Sequence, residues 1–474
     1  MTETLAVLFQ LVTGLILIYF CLINFFYFLF LILSFTGIFH YRNKVKYLSF
    51  KEIFHLPLVK PISIIAPAYN EEHSITESVN SLLTLEYPLY EVIVVNDGST
   101  DKTLEKLIEA FDLQKAKWVF RKSIATKPVN GIYKSLSNPK LIVIDKVNGK
   151  KADALNAGLN ISHYPLFCAI DGDSVLEKDA LLKMVRPFLE NPEETIAAGG
   201  ILRLSNGCVF EDGQIKKIGM PKNFLARLQV LEYLRAFLGG RMGLNKLKSL
   251  LIISGAFGLF RKDVTLECGG YRTETIGEDM DLIVRIKKYL YEKKTSFRIC
   301  FIPDPICWTE APESFSSLIN QRNRWHRGLA ETLVHNRRMI FNPAYGLTGL
   351  FAMPFYLFFE LLGPVIELIG YIIFVTLLLS GHINHPFALM FFLVAVFLGC
   401  FISLMAILLE EYSLRRYPKL SDILIISLFS LLENFIYRQY LAFIRSKAFV
   451  DLLRGKKGWG EMKKIGFSKE AEQP

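Results

Sequence analysis

The seven cysteines form no Cys-x-x-Cys pair and none stands at a zinc-like spacing. Cys21, Cys168, Cys208, Cys268, Cys300, Cys307 and Cys400 therefore read as free thiols in a reducing compartment. No Gly-x-Gly-x-x-Gly follows the first apolar strand, and no P-loop motif occurs anywhere, so dinucleotide and P-loop phosphate binding lose support. No basic, aromatic-interleaved block stands out, which argues against nucleic acid as a partner. Residues 5–40 carry no charge. They also lack the early basic residues, the short apolar core and the cleavage site of a secretory signal.

What is present is apolar. Of 474 residues, 51% are hydrophobic and 38 are Phe, and the apolar residues cluster at the two ends. That pattern describes a membrane protein with a soluble middle. About 20 helical residues cross a bilayer, so residues 5–40 predict one long, tilted span in which Asn24 is the central polar residue. The basic cluster that follows, with Arg42, Lys44 and Lys46, marks the cytosolic exit. The formal net charge of +10 is read as belonging mainly to such membrane flanks.

At the far end, residues 346–381 form an apolar run interrupted by Pro354 and Pro364. It reads as one kinked span, or as an interfacial piece followed by a span. Residues 387–409 read as a clean span. Residues 423–443 contain Glu433, Asn434, Arg438 and Gln439, and charge at membrane depth is costly unless paired. Glu433 and Arg438 can pair with each other, touch a substrate path, or sit at a helix end near the headgroups. The loop with Arg415, Arg416 and Lys419 and the tail with Arg454, Lys456 and Lys457 are both basic. A positive-inside arrangement puts both in the cytosol. A single full span between them forbids it, so the last helix is re-entrant or one basic end lies outside.

Between residues 44 and 345 the pattern changes. Apolar, β-branched runs at residues 61–66, 91–95, 140–144 and 165–170 read as strands buried on both faces. Helical segments near residues 74–85 and 102–111 alternate with them. The expected fold is therefore an open α/β sheet, mostly parallel, with helices on both faces. Ligands bind such sheets beyond the carboxyl ends of the strands. The polar motifs lie there: Ala68-Tyr-Asn-Glu-Glu72 after the first strand, Asn96-Asp-Gly-Ser-Thr-Asp101 after the second and Asp171-Gly-Asp173 after the fourth. Any one of these is an ordinary turn. Three at successive strand ends point to a site.

Asp171 and Asp173 supply hard oxygen atoms that suit Mg²⁺ or Mn²⁺, metals that commonly bridge carboxylates and substrate phosphates. Lys151 opens a helix in Lys151-Ala-Asp-Ala-Leu-Asn156, where an ammonium can meet phosphate together with free backbone N–H groups. Gly277-Glu-Asp279 opens a further helix. Asp279 there is a candidate base, with Glu278 as its rival and a plain N-cap as the bland alternative. Gln321-Arg-Asn-Arg-Trp325 lies on a helical stretch over residues 314–336. Gln321, Arg324, Trp325 and Gly328 share a face by spacing. Arginine suits diphosphate oxygens, tryptophan offers a face to a sugar ring, and such a helix can equally lie on the headgroups.

Taken in order, these motifs resemble those of the processive family-2 glycosyltransferases of GT-A fold, which include cellulose, hyaluronan and poly-N-acetylglucosamine synthases. The resemblance runs from about Pro61 to Gly328. It implies Tyr69, Glu71 and Asp97 as contacts to a uridine nucleotide, and Lys151 and Asp171 as further donor-binding residues. It implies Asp173 as the metal ligand and Asp279 as the general base. Gln321, Arg324 and Trp325 are implied to hold the diphosphate and the acceptor end, and Ser254-Gly-Ala256 resembles the acceptor-side small-residue segment. Gly458-Trp-Gly460 faintly resembles a motif of hyaluronan synthases that follows the membrane part. Gly277 stands where the family often has Thr, and residues 120–139 form an insertion to which the resemblance assigns no role.

The expected organisation is an N-terminal transmembrane segment over residues 1–43 and a cytosolic GT-A domain over 44–345, with an interfacial helix near 314–336. A transmembrane region over 346–445 and a basic cytosolic tail over 446–474 complete it. The expected activity is inverting, Mg²⁺- or Mn²⁺-dependent transfer from a UDP-sugar to a growing β-linked polysaccharide of N-acetylglucosamine or glucose type. It would take place at the cytosolic face of a cell membrane, amid membrane lipids, with an accessory export subunit as a further partner. Two alternatives stand beside it: single transfer to a ceramide-type lipid acceptor, and a catalytically silent membrane scaffold.

Overall fold

A computed structural model describes residues 3–45, 59–117, 119–172, 174–211, 213–381, 384–417 and 419–455. The apolar β-branched runs form strands whose side chains are buried on both faces. In chain order the strands are β1 (Ile62–Ala68), β2 (Tyr90–Asn96), β3 (Leu113–Ala116), β4 (Val129–Ser135), β5 (Leu141–Lys146) and β6 (Leu166–Ile170). They continue as β7 (Val175–Leu176), β8 (Thr195–Leu204), β9 (Val209–Glu211), β10 (Gln214–Lys217), β11 (Phe257–Arg261) and β12 (Arg298–Thr309). Ten of them make one sheet in the order β3-β4-β5-β2-β1-β6-β11-β8-β12-β7. The β5-β2-β1-β6 centre is parallel, as the alternating pattern predicts. β11 enters antiparallel between β6 and β8 and so makes the sheet mixed. The insertion at residues 120–139 supplies β4, which pairs antiparallel with β5 and carries β3 at the sheet edge.

The N-terminal apolar run is one helix, α1 (Glu3–Val45), as expected. Its polar residue, Asn24, donates to the carbonyl of Phe20 and to that of Val394 in a neighbouring helix (2.8 and 3.1 Å). Among the described residues, three further helices are long and apolar enough to cross a membrane: Thr348–Leu379, His385–Ser413 and Leu420–Leu453. In the first of these, π-type turns precede each proline, and Pro364 falls in the opening turn of a new helical stretch after Leu362, where its missing N–H interrupts no helical bond.

The charges in the last helix do not serve each other. Glu433 pairs with Arg235 (2.7 Å), and Arg438 with Glu367 (3.1 Å). On consecutive helical turns the two side chains face different neighbours, and each finds its counter-ion on another helix. The same helix meets the sheet domain along its whole length. Phe429 packs on Phe224, the Tyr437 hydroxyl donates to Glu232 (3.0 Å), and Asp451 accepts from Asn323 (2.8 Å). At the other end of the bundle Glu410 pairs with Arg203 of β8, and Arg416 with Glu177 (2.9 Å). The membrane helices thus gather at the β8–β12–β7 side of the sheet.

Candidate active site

The loops after β1 and β2 are laced together by main-chain N–H groups. Asn70 adopts a positive φ of 54°, which asparagine tolerates. Its Oδ1 accepts from the Thr100 N–H (2.8 Å), and its own N–H donates to Ser99 Oγ (3.0 Å). Glu72 and Asp101 trade backbone bonds across the same gap, the Glu72 N–H to Asp101 and the Lys102 N–H to Glu72, each at 3.1 Å. These two carboxylates hold the loops. Tyr69, 50% exposed, stands at the rim they form. Glu71 accepts from the Ser74 hydroxyl (2.9 Å) at the start of the following helix.

Beneath the loops lies a closed cluster that the sequence did not announce. Lys146, the last residue of β5, has a fully buried side chain and pairs with both Asp97 and Asp153 at 2.6 Å. Asp97 also accepts the Gly149 N–H (3.0 Å). Its carboxylate, expected on a nucleotide, is thus turned towards Lys146. A lysine at the end of the strand Leu141–Lys146, after Asp145, was the available signal, since a buried ammonium requires a counter-ion.

Lys151 begins the second cluster, in the first turn of the helix Lys150–Ile161. It pairs with Asp171, reaches Glu278 at 3.4 Å and the Gly255 carbonyl at 3.4 Å. Burial works against the Lys151 charge, but Asp171, Glu278 and Asp279 outweigh it and hold the ammonium above its ordinary pKa. Burial raises Glu278, with Lys151 opposing and Asp279 adding to the rise. Gly255 lies against this ammonium, since a Cβ there would stand 2.7 Å from Lys151 Nζ and would displace it. Its N–H donates to Asp279 Oδ2 (3.2 Å), and the Met280 N–H donates to Oδ1 (2.8 Å). The two rivals therefore differ. Glu278 is buried against Lys151, whereas Asp279 is half-buried on backbone donors. Four sequence-separated motifs meet in this one cluster.

The helix Phe315–His335 is strapped over it. Gly328 touches Gly277, so closely that a Cβ on Gly328 would lie 2.8 Å from the Gly277 Cα. Glu331 accepts the Ile276 N–H (2.9 Å) and the Thr275 hydroxyl (3.1 Å). The predicted shared face divides in two. Gln321 and Gly328 are buried, Arg324 is half-buried, and Trp325 is 45% exposed. Arg322 was not among the expected residues. Its guanidinium lies 4.3 Å from the Trp325 ring centroid, donates to Gln321 Oε1 (2.5 Å) and pairs with Glu232 (2.7 Å). It fixes the indole by stacking, whereas helical spacing had put Arg324, two residues further on, beside Trp325.

Asp173, Lys46 and the Gly458–Gly460 segment lie outside the described residues. Among the described residues no group of three or more His, Cys, Asp or Glu is placed to hold a metal. Asp171, one-third exposed beside Lys151, presents the hard oxygen chemistry that Mg²⁺ or Mn²⁺ requires. The donor type at this strand end therefore fits such an ion.

With this geometry in place, three comparisons bear on the chain. A domain described as glycosyltransferase like family 2 matches residues 60–328, and a chitin synthase domain matches residues 274–465. A poly-beta-1,6-N-acetyl-D-glucosamine synthase of Staphylococcus epidermidis is 27% identical over 278 residues, 59% of this chain and 57% of that protein. The same-named protein of Staphylococcus aureus (strain COL) is 26% identical over 300 residues, 63% of this chain and 62% of that one. The chain thus spans less than two thirds of the length of the curated relatives it matches. Among solved structures, the mannosyltransferase PcManGT from Pyrobaculum calidifontis, in complex with GDP-Man and Mn2+, is similar with a TM-score of 0.50. At 16% identity it covers 92% of this chain and all of that one, a likeness of fold that agrees with the expected GT-A type. Since the first of these domains takes in more than half of the residues and contains every motif from Tyr69 to Gly328, the chain belongs to glycosyltransferase family 2.

Proposed function

We propose that this glycosyltransferase is a processive synthase that moves a sugar from a UDP-sugar to a growing β-linked polysaccharide of N-acetylglucosamine or glucose type, with inversion. The observation that carries the reading is the meeting of Lys151, Asp171, Glu278, Asp279 and Gly255 under a helix whose exposed Trp325 is braced by Arg322. The similarity to poly-beta-1,6-N-acetyl-D-glucosamine synthases favours N-acetylglucosamine.

Tyr69 and Glu71 contact the uridine, and Asp97 frames that pocket from below through Lys146. Lys151 and Asp171 lie beside the diphosphate. Asp173, two residues on, would hold Mg²⁺ or Mn²⁺, which when bound would supply positive charge there. Asp279 takes the proton of the acceptor hydroxyl as that oxygen attacks the anomeric carbon, and UDP departs from the opposite face. Its half-buried carboxylate, kept aligned by two backbone N–H groups, supports this choice over Glu278, which is occupied by Lys151. Gln321 and Arg324 hold the departing diphosphate side, and Trp325 takes the acceptor sugar on its exposed face.

The sheet domain faces the cytosol in this reading. The basic last turn of α1, with Arg42 and Lys44, adjoins the domain, and Lys44 pairs with Glu190 of it. The last helix touches the domain near both of its ends, which supports a re-entrant or interfacial course and lets both basic flanks share one side. A single-transfer lipid enzyme and a silent scaffold are the outcomes to be separated. Detergent-purified protein is to be given Mg²⁺ or Mn²⁺ and a panel of UDP-sugars, with UDP release and product length followed. Long product from one sugar is the expected result. A single added residue on lipid would replace the synthase by a lipid transferase, and no release under any condition would favour the scaffold.

A further inference from the structure

The surplus of +10 has a seat away from the apolar ends. Residues 113–140 carry seven basic side chains, from Lys115 to Lys140, and no aspartate or glutamate. This stretch is the β3–β4 edge of the sheet together with the insertion. It encloses an open cavity of about 390 Å³ lined by Lys115, Phe120, Lys122, Lys127, Asn130 and their neighbours. Gly131 leaves the Lys115 stem its room, since a Cβ there would stand 3.0 Å from Lys115 Cε and 3.4 Å from Nζ. Among the described residues none of the three lysines forms an ion pair. The nearby carboxylates are committed elsewhere. Asp145 accepts from Asn96 and Asn130 (2.7 and 3.2 Å), and Asp153 holds Lys146 and the Lys127 backbone N–H (2.6 and 3.1 Å). Three exposed ammonium groups around one cavity give it a positive potential that favours an anion.

The position of the cavity narrows the anion. β4 stands six strand spacings from β8, the strand whose Arg203 meets the membrane helices. At the usual strand spacing that is roughly 30 Å, so a lipid headgroup is a poor occupant and a soluble anion a good one. The cavity is also wired to the site. Asn160 Oδ1 accepts the N–H groups of Ser123 and Ile124 (3.0 and 2.9 Å), and its Nδ2 donates to the Ile124 carbonyl (2.8 Å). Asn160 lies near the end of the helix that begins at Lys150 and carries Lys151. Lys127 reaches Asp153, and through Lys146 reaches Asp97.

We propose that this cavity binds a soluble polyphosphate, inorganic or nucleoside-borne, on Lys115, Lys122 and Lys127, with Phe120 taking the ring of a nucleoside, and that occupancy tunes donor affinity through the Lys150–Ile161 helix. The binding half stands without the proposed donor, and only the tuning half rests on it. The test is titration calorimetry of tripolyphosphate and of ATP into full-length, detergent-purified protein already saturated with UDP, so that the catalytic site is filled. The comparison is the triple variant Lys115→Gln, Lys122→Gln, Lys127→Gln. Binding that weakens with salt and falls about ten-fold or more in the variant is expected. Tighter binding of ATP than of tripolyphosphate, lost in Phe120→Ala, assigns the ring, and equal affinities remove it. Tripolyphosphate should shift the donor KM of the unmodified protein and leave that of the triple variant unmoved, with kcat equal in both when no anion is present. No heat beyond UDP, or equal affinity in the triple variant, overturns the site. Binding with an unmoved KM overturns the tuning. Binding of the protein edge to anionic vesicles, with no soluble anion competing, assigns the lysines to a membrane instead.

Discussion

Buried charge is handled differently in the membrane bundle and beneath the loops after β1 and β2 than in the Lys151 cluster. In the bundle Arg235 meets Glu433 at 2.7 Å and Arg438 meets Glu367 at 3.1 Å, each cation on an anion from another helix. Lys146 is closed in the same way by Asp97 and Asp153. The Lys151 cluster is open on one side, with Asp171 one-third exposed and Asp279 half-buried. Closed pairs fasten elements together, because losing one partner strands a charge in a low dielectric. An open cluster has spare capacity for a ligand. The contrast separates charges that fasten this molecule together from charges left open to a ligand, the ones proposed here to work.

The sharpest way to break the contrast is at Asp279. Asp279→Asn should lower UDP release by about 10²–10⁴-fold, the range of a lost general base, while UDP binding by calorimetry and the melting temperature stay close to those of the unmodified protein. Near-normal turnover would move the base to Glu278 or elsewhere. Lys146→Met makes the opposite demand. It leaves two buried carboxylates unpaired and should cost about 3–5 kcal/mol, read as a large fall in thermal stability in detergent. An unchanged melting temperature would mean that Asp97 and Asp153 are wetter than their burial indicates.

Gly328→Ala tests the strap between the two helices. The added methyl meets the Gly277 backbone and should cost about 1–3 kcal/mol. Because Trp325 rides on that helix, the loss should show more in turnover than in UDP affinity.

Lys287 sharpens the comparison from a third side. This buried ammonium meets the Lys248 carbonyl (2.9 Å) and the Thr348 hydroxyl (3.2 Å), and burial lowers its pKa to about 7. The folded chain then holds fewer protons than the unfolded one between about pH 7 and the ordinary lysine value. Stability from this residue should rise with pH across that window, by roughly 1 kcal/mol per pH unit. Lys287→Met should flatten the rise. A melting temperature that rises equally with pH in the variant would assign the effect to other groups.

Much of this was legible beforehand. The strands at the sheet centre are runs of Ile and Val long enough to be buried on both faces, and the first apolar run is long enough to be one helix. The motifs fell at strand ends because chain direction in a parallel sheet puts every carboxyl end on one edge. Other features were hidden for equally physical reasons. β11 enters antiparallel, and an apolar strand reads the same in either direction. For Glu433 and Arg438 the sequence left open a mutual pair, a substrate path or a helix end near the headgroups, and the counter-ions they do meet, Arg235 and Glu367, lie on other helices far away in the chain. Residues 120–139 were silent because an edge hairpin has a weak apolar signal, and their charge was credited to the membrane flanks.

The amino-acid order by itself determined the membrane ends, the α/β middle and the set of residue types brought to the site, since hydrophobic period, run length and motif order are local properties of the chain. Only the tertiary structure decided which lysine meets which carboxylate, that Asp279 keeps an open side while Glu278 does not, and that Arg322 rather than a solvent-facing neighbour braces Trp325. Those choices depend on distances between segments far apart in the chain, and the energy of a charge depends on what surrounds it after folding.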